Sequence, residues 1–189
     1  MRKLIVFCHL SLDGVAALPS SSLDWVAYDP DLEKYVKPIV SATDTALYGR
    51  VTYELMKYFR TVEGNPNASA HEREHAKWIE NVEKVVVSAS GMTSDWNNTK
   101  VIRANIKEEV QKLKNIPGGN ITVFGSPTLA NALIKDGLVD EYWLSVSPII
   151  LGEGKRLFKD VKDSTKLKLL EEKTFDSGAI ALHYSTLGE

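Results

Sequence analysis

One cysteine stands among the 189 residues, so no disulfide can close within the chain. It is Cys8, inside the apolar run Leu4-Ile5-Val6-Phe7-Cys8, a setting that predicts a buried free thiol. No stretch of about 18 apolar residues is present to span a membrane. The N-terminus has only Met-Arg-Lys and a short apolar run before His9, too little for a signal-peptide core and cleavage site. Charge of one sign is also lacking. The net charge is −2, which gives no broad field to gather nucleic acid or an anionic membrane, so any phosphate site must be local. These absences predict a cytoplasmic protein whose partners are small molecules.

What is present is ordinary globular material: 43% hydrophobic and 25% charged residues, enough to bury a core. The length suits one domain over 1–189, and no repeat, low-complexity tract or linker interrupts it. Short apolar runs predict strands at 3–10, 45–48, 83–88, 101–102 and 121–124. Helical patterns separate them. Asp29-Pro30-Asp31 reads as an N-cap with proline at the first helical position, and Pro38 should kink or shorten the helix that follows. Further helices are expected at 51–59, 70–81, 106–113 and from Pro127 to about Lys135, with loops at 15–28 and 148–159. The last quarter reads as strands at 140–147, 166–175 and 179–186, the final two joined by the turn Asp176-Ser177-Gly178. The fold class is therefore α/β: a mostly parallel sheet between helical layers, with an antiparallel C-terminal edge.

In such a sheet ligands bind beyond the carboxyl ends of the strands, and three of those ends suit an anion. Gly49-Arg50-Val51-Thr52 places a glycine, a guanidinium and a helix start after a strand. Ser88-Ala89-Ser90-Gly91 places small hydroxyls after the next. Gly125-Ser126-Pro127-Thr128-Leu129 again joins a strand to a helix N-terminus, without the later glycines of the six-residue dinucleotide fingerprint. Each alone is equally well a helix cap or a turn.

Together they resemble a known family. Gly49-Arg50-x-Thr52 with Glu54, Val87-Ser88-x-Ser90 and Phe124-Gly125-Ser126-x-Thr128-Leu129 look like the cofactor side of dihydrofolate reductase. Ser11-Leu12-Asp13-Gly14 and the block Gly137 to Phe158 look still more like the reductase domain of riboflavin biosynthesis, and the resemblance runs in order over nearly the whole chain. It implies a dihydrofolate reductase-like three-layer sandwich with an eight-stranded sheet, four main helices and a homodimeric state. It also implies NADPH as cofactor. By position, Gly49, Arg50 and Thr52 would face its phosphates, Ser88 and Ser90 its 2′-phosphate, and Gly125, Ser126, Thr128 and Leu129 its pyrophosphate. Gly14, Val15 and Ala16 would lie near the nicotinamide. The implied reaction is hydride transfer to a small heterocycle or ribosyl compound, of the 5-amino-6-(5-phosphoribosylamino)uracil reductase type. Dihydrofolate reduction, or nucleotide binding without catalysis, are the alternatives.

On the substrate side the pattern departs from the family. The first long helix offers Asp29, Asp31 and Glu33 as acids; counting back from Gly49 favours Glu33, and helical phase does not decide. Asp13 and Trp25 are further candidates for that side, equally readable as a turn aspartate and a half-buried aromatic. A rival motif, His71-Glu72-Arg73-Glu74-His75, matches the zinc-hydrolase pattern literally. The charged helix around it, and His9 and His183 lying in expected strands, favour a solvated face held by pairs such as Glu74–Lys77 and Glu80–Lys84 over a metal site.

Overall fold

The computed structural model describes residues 1–90, 92–161 and 163–187; Gly91, expected to end the serine-rich strand end, lies outside them. In chain order the elements are β1 (Leu4–Ser11), β2 (Val15–Ala17), α1 (Pro30–Ala42), β3 (Thr43–Gly49), α2 (Arg50–Met56), a 3-10 turn (Lys57–Thr61), α3 (Ala70–Asn81) and β4 (Glu83–Val87). There follow β5 (Thr99–Ile102), α4 (Ile106–Asn115), β6 (Asn120–Phe124), α5 (Pro127–Lys135), β7 (Glu141–Ser147), β8 (Lys155–Arg156), β9 (Leu167–Thr174) and β10 (Ile180–Thr186).

Eight strands form one sheet in the order β5-β4-β3-β6-β1-β7-β10-β9. Pairings from β5 through β7 are parallel, and β10 runs antiparallel to both of its neighbours. The mostly parallel sheet with an antiparallel edge is thus as expected. Its short strands are apolar along their length because both faces are covered. Leu4, Val6, Leu47, Val85, Ile121 and Val123 pack with Val110 and Leu113 of α4 and Leu129 and Leu133 of α5. The alternate residues Ala46, Tyr48 and Val86 pack with Tyr53 of α2 and Ile79 of α3 on the opposite face. Asp29 caps α1 as predicted, its carboxylate accepting from Asp31 N–H at 2.9 Å and Leu32 N–H at 2.8 Å.

Several expectations need correction. Among the described residues there are five α-helices, as the sequence pattern predicts, and one 3-10 turn; α1, α3, α4 and α5 are the four long ones, and α2 has only 7 residues. The predicted helix over 51–59 ends at Met56 and tightens into the 3-10 turn. Pro38 does not shorten α1, which continues to Ala42; Ile39, one residue on, is buried and anchors that end. The loops at 15–28 and 148–159 each hold a strand, β2 and β8, which pair across the chain at Val15–Arg156. The backbones there approach so closely that a Cβ on Gly154, at φ +134°, would stand 2.6 Å from the Ala17 carbonyl oxygen.

The charge pairs of α3 also differ. Glu74 pairs with Lys37 of α1 at 2.7 Å, not with Lys77. Lys84 is wholly buried, and its ammonium donates to carbonyls at the end of α3 while Glu80 accepts from Trp96 Nε1 instead. Among the described residues, no helix is long and apolar enough to cross a membrane.

Candidate functional site

The carboxyl ends of β1, β3 and β6 open into one cavity of about 1030 Å³. That volume lies at the upper end of small-molecule sites and has room for two ligands side by side. Its lining divides by chemistry.

One end is built by the two glycine turns. Gly49 closes β3, and Arg50, with an exposed side chain, begins α2; both line the cavity with Thr52. Gly125 closes β6 at φ +57°, and Ser126 follows at φ +49°. A non-glycine residue in the left-handed region carries strain and needs a compensating contact. Ser126 has one: its buried hydroxyl accepts the Gly49 backbone N–H at 2.9 Å, tying the two strand ends together. Diverted in this way, Ser126 makes no side-chain cap to α5, whose Pro127 has no N–H. The backbone N–H groups of Thr128 and Leu129 are thereby left for an anion. Gly125, Ser126, Thr128 and Leu129 all line the cavity, so the donor set suits a phosphate chain. Lys155 of β8 adds a cation that the sequence reading missed, because only the β2–β8 pairing brings it there.

Other candidates fall outside the wall. Ser88 and Ser90 do not line the cavity, and Ser88 Oγ bonds Ser90 Oγ at 3.0 Å, a local serine turn. Gly14 and Val15 are not part of the lining, while Ala16 is. Trp25 is off the wall, its Nε1 donating to the Ser22 carbonyl at 3.1 Å. Asp13 is a loop staple. Its carboxylate accepts from Ser11 Oγ at 2.6 Å, Leu151 N–H at 3.1 Å and Gly152 N–H at 3.0 Å, so it fastens the first turn to the segment after β7.

Those donors, the Ser11 hydroxyl foremost and then the Leu151 N–H, pull Asp13 down to about 2. Because the folded value lies below the unfolded one, about 4, the Asp13 contribution is present above that pH and is lost as pH falls toward about 2. Asp13→Asn should therefore have a lower urea midpoint than the wild type at pH 7. The gap should narrow steadily below about pH 4. A gap that stays constant through that window would mean that the charge on Asp13 contributes nothing.

The same cavity has an aromatic wall and carries the acid. Phe7, His9, Tyr28, Phe59 and His75 line it. His9 packs edge-on against Phe7 and Tyr28, and His75 lies 4.4 Å from Phe59 and 5.0 Å from Trp78, centroid to centroid. Burial pushes both imidazoles down to about 4, with the charge of His71 adding to the effect on His75. Of the three acids on α1, Asp29 is engaged in the cap and Asp31 pairs with Lys34, while Glu33 lines the cavity.

The zinc motif does not assemble. Glu72 completes a capping box with Ser69 and accepts from Tyr58 OH at 2.6 Å. Among the described residues, no group of three or more metal-binding side chains comes together. α3 is nonetheless not a solvated face throughout, since His75, Trp78 and Ile79 turn inward and His71 and His75 both reach the cavity.

A family model described as the RibD C-terminal domain matches residues 2–181. The chain is 36% identical to the uncharacterized protein YyaP of Bacillus subtilis strain 168, over 97% of this chain and 94% of that protein. A putative riboflavin biosynthesis protein from Shewanella sp. PV-4 has the same fold, with a TM-score of 0.76 at 19% identity, covering 98% of this chain and 99% of that one. Acinetobacter baumannii RibD, form 1, superposes with a TM-score of 0.71 at 18% identity over 100% of this chain and 59% of its own.

Proposed function

Because the chain belongs to the RibD C-terminal domain family, a family of reductase domains, we propose that it binds NADPH along the cavity and directs hydride to a small heterocycle. The observation that carries this reading is the presence, in the lining of one cavity, of two glycine turns suited to an anion, an aromatic wall and a single α1 carboxylate. When bound, the cofactor supplies the hydride. The chain's own residues would do the rest. Thr128 and Leu129 would hold the pyrophosphate, Arg50, which lines the cavity where Ser88 does not, would read the 2′-phosphate, Ser126 would fix the two turns, and the aromatic wall would exclude water and align a flat ring.

The lining holds the cations Arg50, at the start of α2, and Lys155, in β8, among many rings. This favours an acceptor that carries an uncharged planar ring to lie against those side chains, whether the hydride goes to the ring itself or to a ribosyl carbon attached to it. The ring of 5-amino-6-(5-phosphoribosylamino)uracil is of this kind, and so is that of dihydrofolate. The same reading keeps a homodimer, a second copy lying along β9, an edge strand exposed over nearly its whole length with Leu169 and Leu170 outward. It also keeps the chain in the cytoplasm.

The test is a titration of the purified protein with NADPH and NADH by nicotinamide fluorescence, then a reduction assay over pterins, pyrimidine intermediates and quinones. Saturable binding with a preference for NADPH is expected. Arg50→Ala should weaken NADPH by about tenfold and NADH by much less, the gap expected for one charge-assisted contact to a phosphate. Equal losses would show that Arg50 does not read the 2′-phosphate. No binding of either nucleotide would end the reductase reading.

A further inference from the structure

On the wall of the cavity, α1 presents Glu33 and α3 presents His71 and His75. Nδ1 of His71 stands 3.7 Å from Oε2 of Glu33, one small side-chain rotation from a hydrogen bond. Such contacts commonly tighten only when substrate arrives. The pairing uses Nδ1 and leaves Nε2 for a ligand.

Burial sorts the three histidines of this cavity. His9 and His75 are partly buried rings that desolvation keeps neutral, part of the wall. The His71 side chain is 45% exposed, so water can return a proton to it between turnovers. The other groups around His71 are His75, Glu72 and Glu74 on its own helix, Tyr58 of the 3-10 turn, and Tyr28 beside Glu33. Lys37 holds Glu74, and Tyr58 with Ser69 holds Glu72. Glu33 is the carboxylate that pairs with His71.

We propose that His71 is the proton donor of the reduction and that Glu33 is its positioning residue. The proposal rests on the reductase reading above. As hydride from NADPH forms the new C–H bond with its two electrons, the π bond of the acceptor C=N or C=O breaks. The π pair moves to nitrogen or oxygen, and that atom takes the proton from Nε2–H of the imidazolium. NADP⁺ and neutral imidazole remain, and solvent reprotonates the ring. Glu33 orients the ring through Nδ1 and balances its charge.

Three readouts test this: NADPH affinity by fluorescence, turnover with the acceptor found in the panel, and modification of histidines by diethyl pyrocarbonate, mapped by mass spectrometry. His71→Ala should lower kcat about 100-fold, leave NADPH affinity within about twofold, and regain about tenfold when imidazole is added to the medium. Glu33→Gln should lower kcat about tenfold with little change in KM, and Glu33→Asp should lose less. In the wild type, His71 should react before the partly buried His9 and His75, and saturating acceptor should slow that reaction about fivefold. An unchanged kcat in His71→Ala, a loss that imidazole does not restore, or a His71 reactivity indifferent to acceptor would each overturn the proposal. Those outcomes leave the reductase reading standing. A wild type that binds no NADPH takes both down, and one that binds NADPH but reduces nothing overturns the proton donor while keeping the nucleotide pocket.

Discussion

Replacing Lys84 by methionine should lower the thermal unfolding midpoint by roughly 10 °C. Lys84 stands just after α3, in β4, and its side chain is wholly enclosed. The ammonium donates to the Ile79 carbonyl at 2.7 Å, the Val82 carbonyl at 2.9 Å and, at longer range, the Glu80 carbonyl at 3.4 Å. It also lies 5.0 Å from the centre of the Trp96 ring. Helix ends leave carbonyls without partners and carry partial negative charge, so a buried cation here acts as a cap. Methionine fills nearly the same volume but donates nothing, and the carbonyls remain buried. At about 1 kcal/mol for each abandoned acceptor the loss is about 3 kcal/mol. Relief from desolvating an ammonium offsets part of the lost interaction, but it cannot supply the carbonyls with donors. Circular dichroism melts would read the difference. A midpoint within about 2 °C of wild type would mean that water or a backbone adjustment satisfies the end of α3 without Lys84. Since Lys84 does not line the cavity, NADPH affinity should be unaffected.

Lys84 also marks where sequence reasoning ran short. A lysine four residues after a glutamate reads as a surface ion pair, and although the helix was expected to end at Asn81, between them, nothing local says that the ammonium is buried against that end. The central strands were legible because the parallel sheet is covered on both faces, so short apolar runs such as Val85-Val86-Val87 carry their own signal. β2 and β8, three and two residues long, have no such signal; they exist only because Val15 meets Arg156 across the chain. The two glycine turns of the site were legible as strand ends running into helices. Ser88 and Ser90 looked similar in sequence, but they bond each other away from the cavity. Counting back from Gly49 favoured Glu33 among the three acids, but helical phase could not decide, because the rotation of α1 is set by burial of Leu32 and Ile39, which is a tertiary fact. In α3 the charged residues concealed an inward stripe of His75, Trp78, Ile79 and Val82, which has helical spacing once histidine is counted among the rings.

Gly125→Val should reduce NADPH affinity about 100-fold while costing the fold only about 2 kcal/mol. Gly125 sits at φ +57°, a conformation that a β-branched residue adopts only under strain. A Cβ there would meet nothing in the protein nearer than Thr52 Cγ2 at 4.0 Å. The space beside Gly125 is therefore cavity, not packed core, and an isopropyl group would stand where a phosphate must approach the N–H groups that begin α5. The backbone cost should appear as a modest drop in melting temperature, and the steric cost as lost nucleotide binding. Gly125→Ala separates the two, with much of the strain and less of the obstruction. Gly49 provides the contrast. Its backbone is extended, at φ −77°, and a Cβ would lie 3.6 Å from Ser126 Oγ in ordinary contact, so Gly49→Ala should perturb both measurements less. If Gly125→Val bound NADPH as the wild type does, the phosphates would not lie at this turn. The uncapped start of α5 would then be a feature of the fold alone, and Arg50 and Lys155 would have to account for any nucleotide affinity that remains.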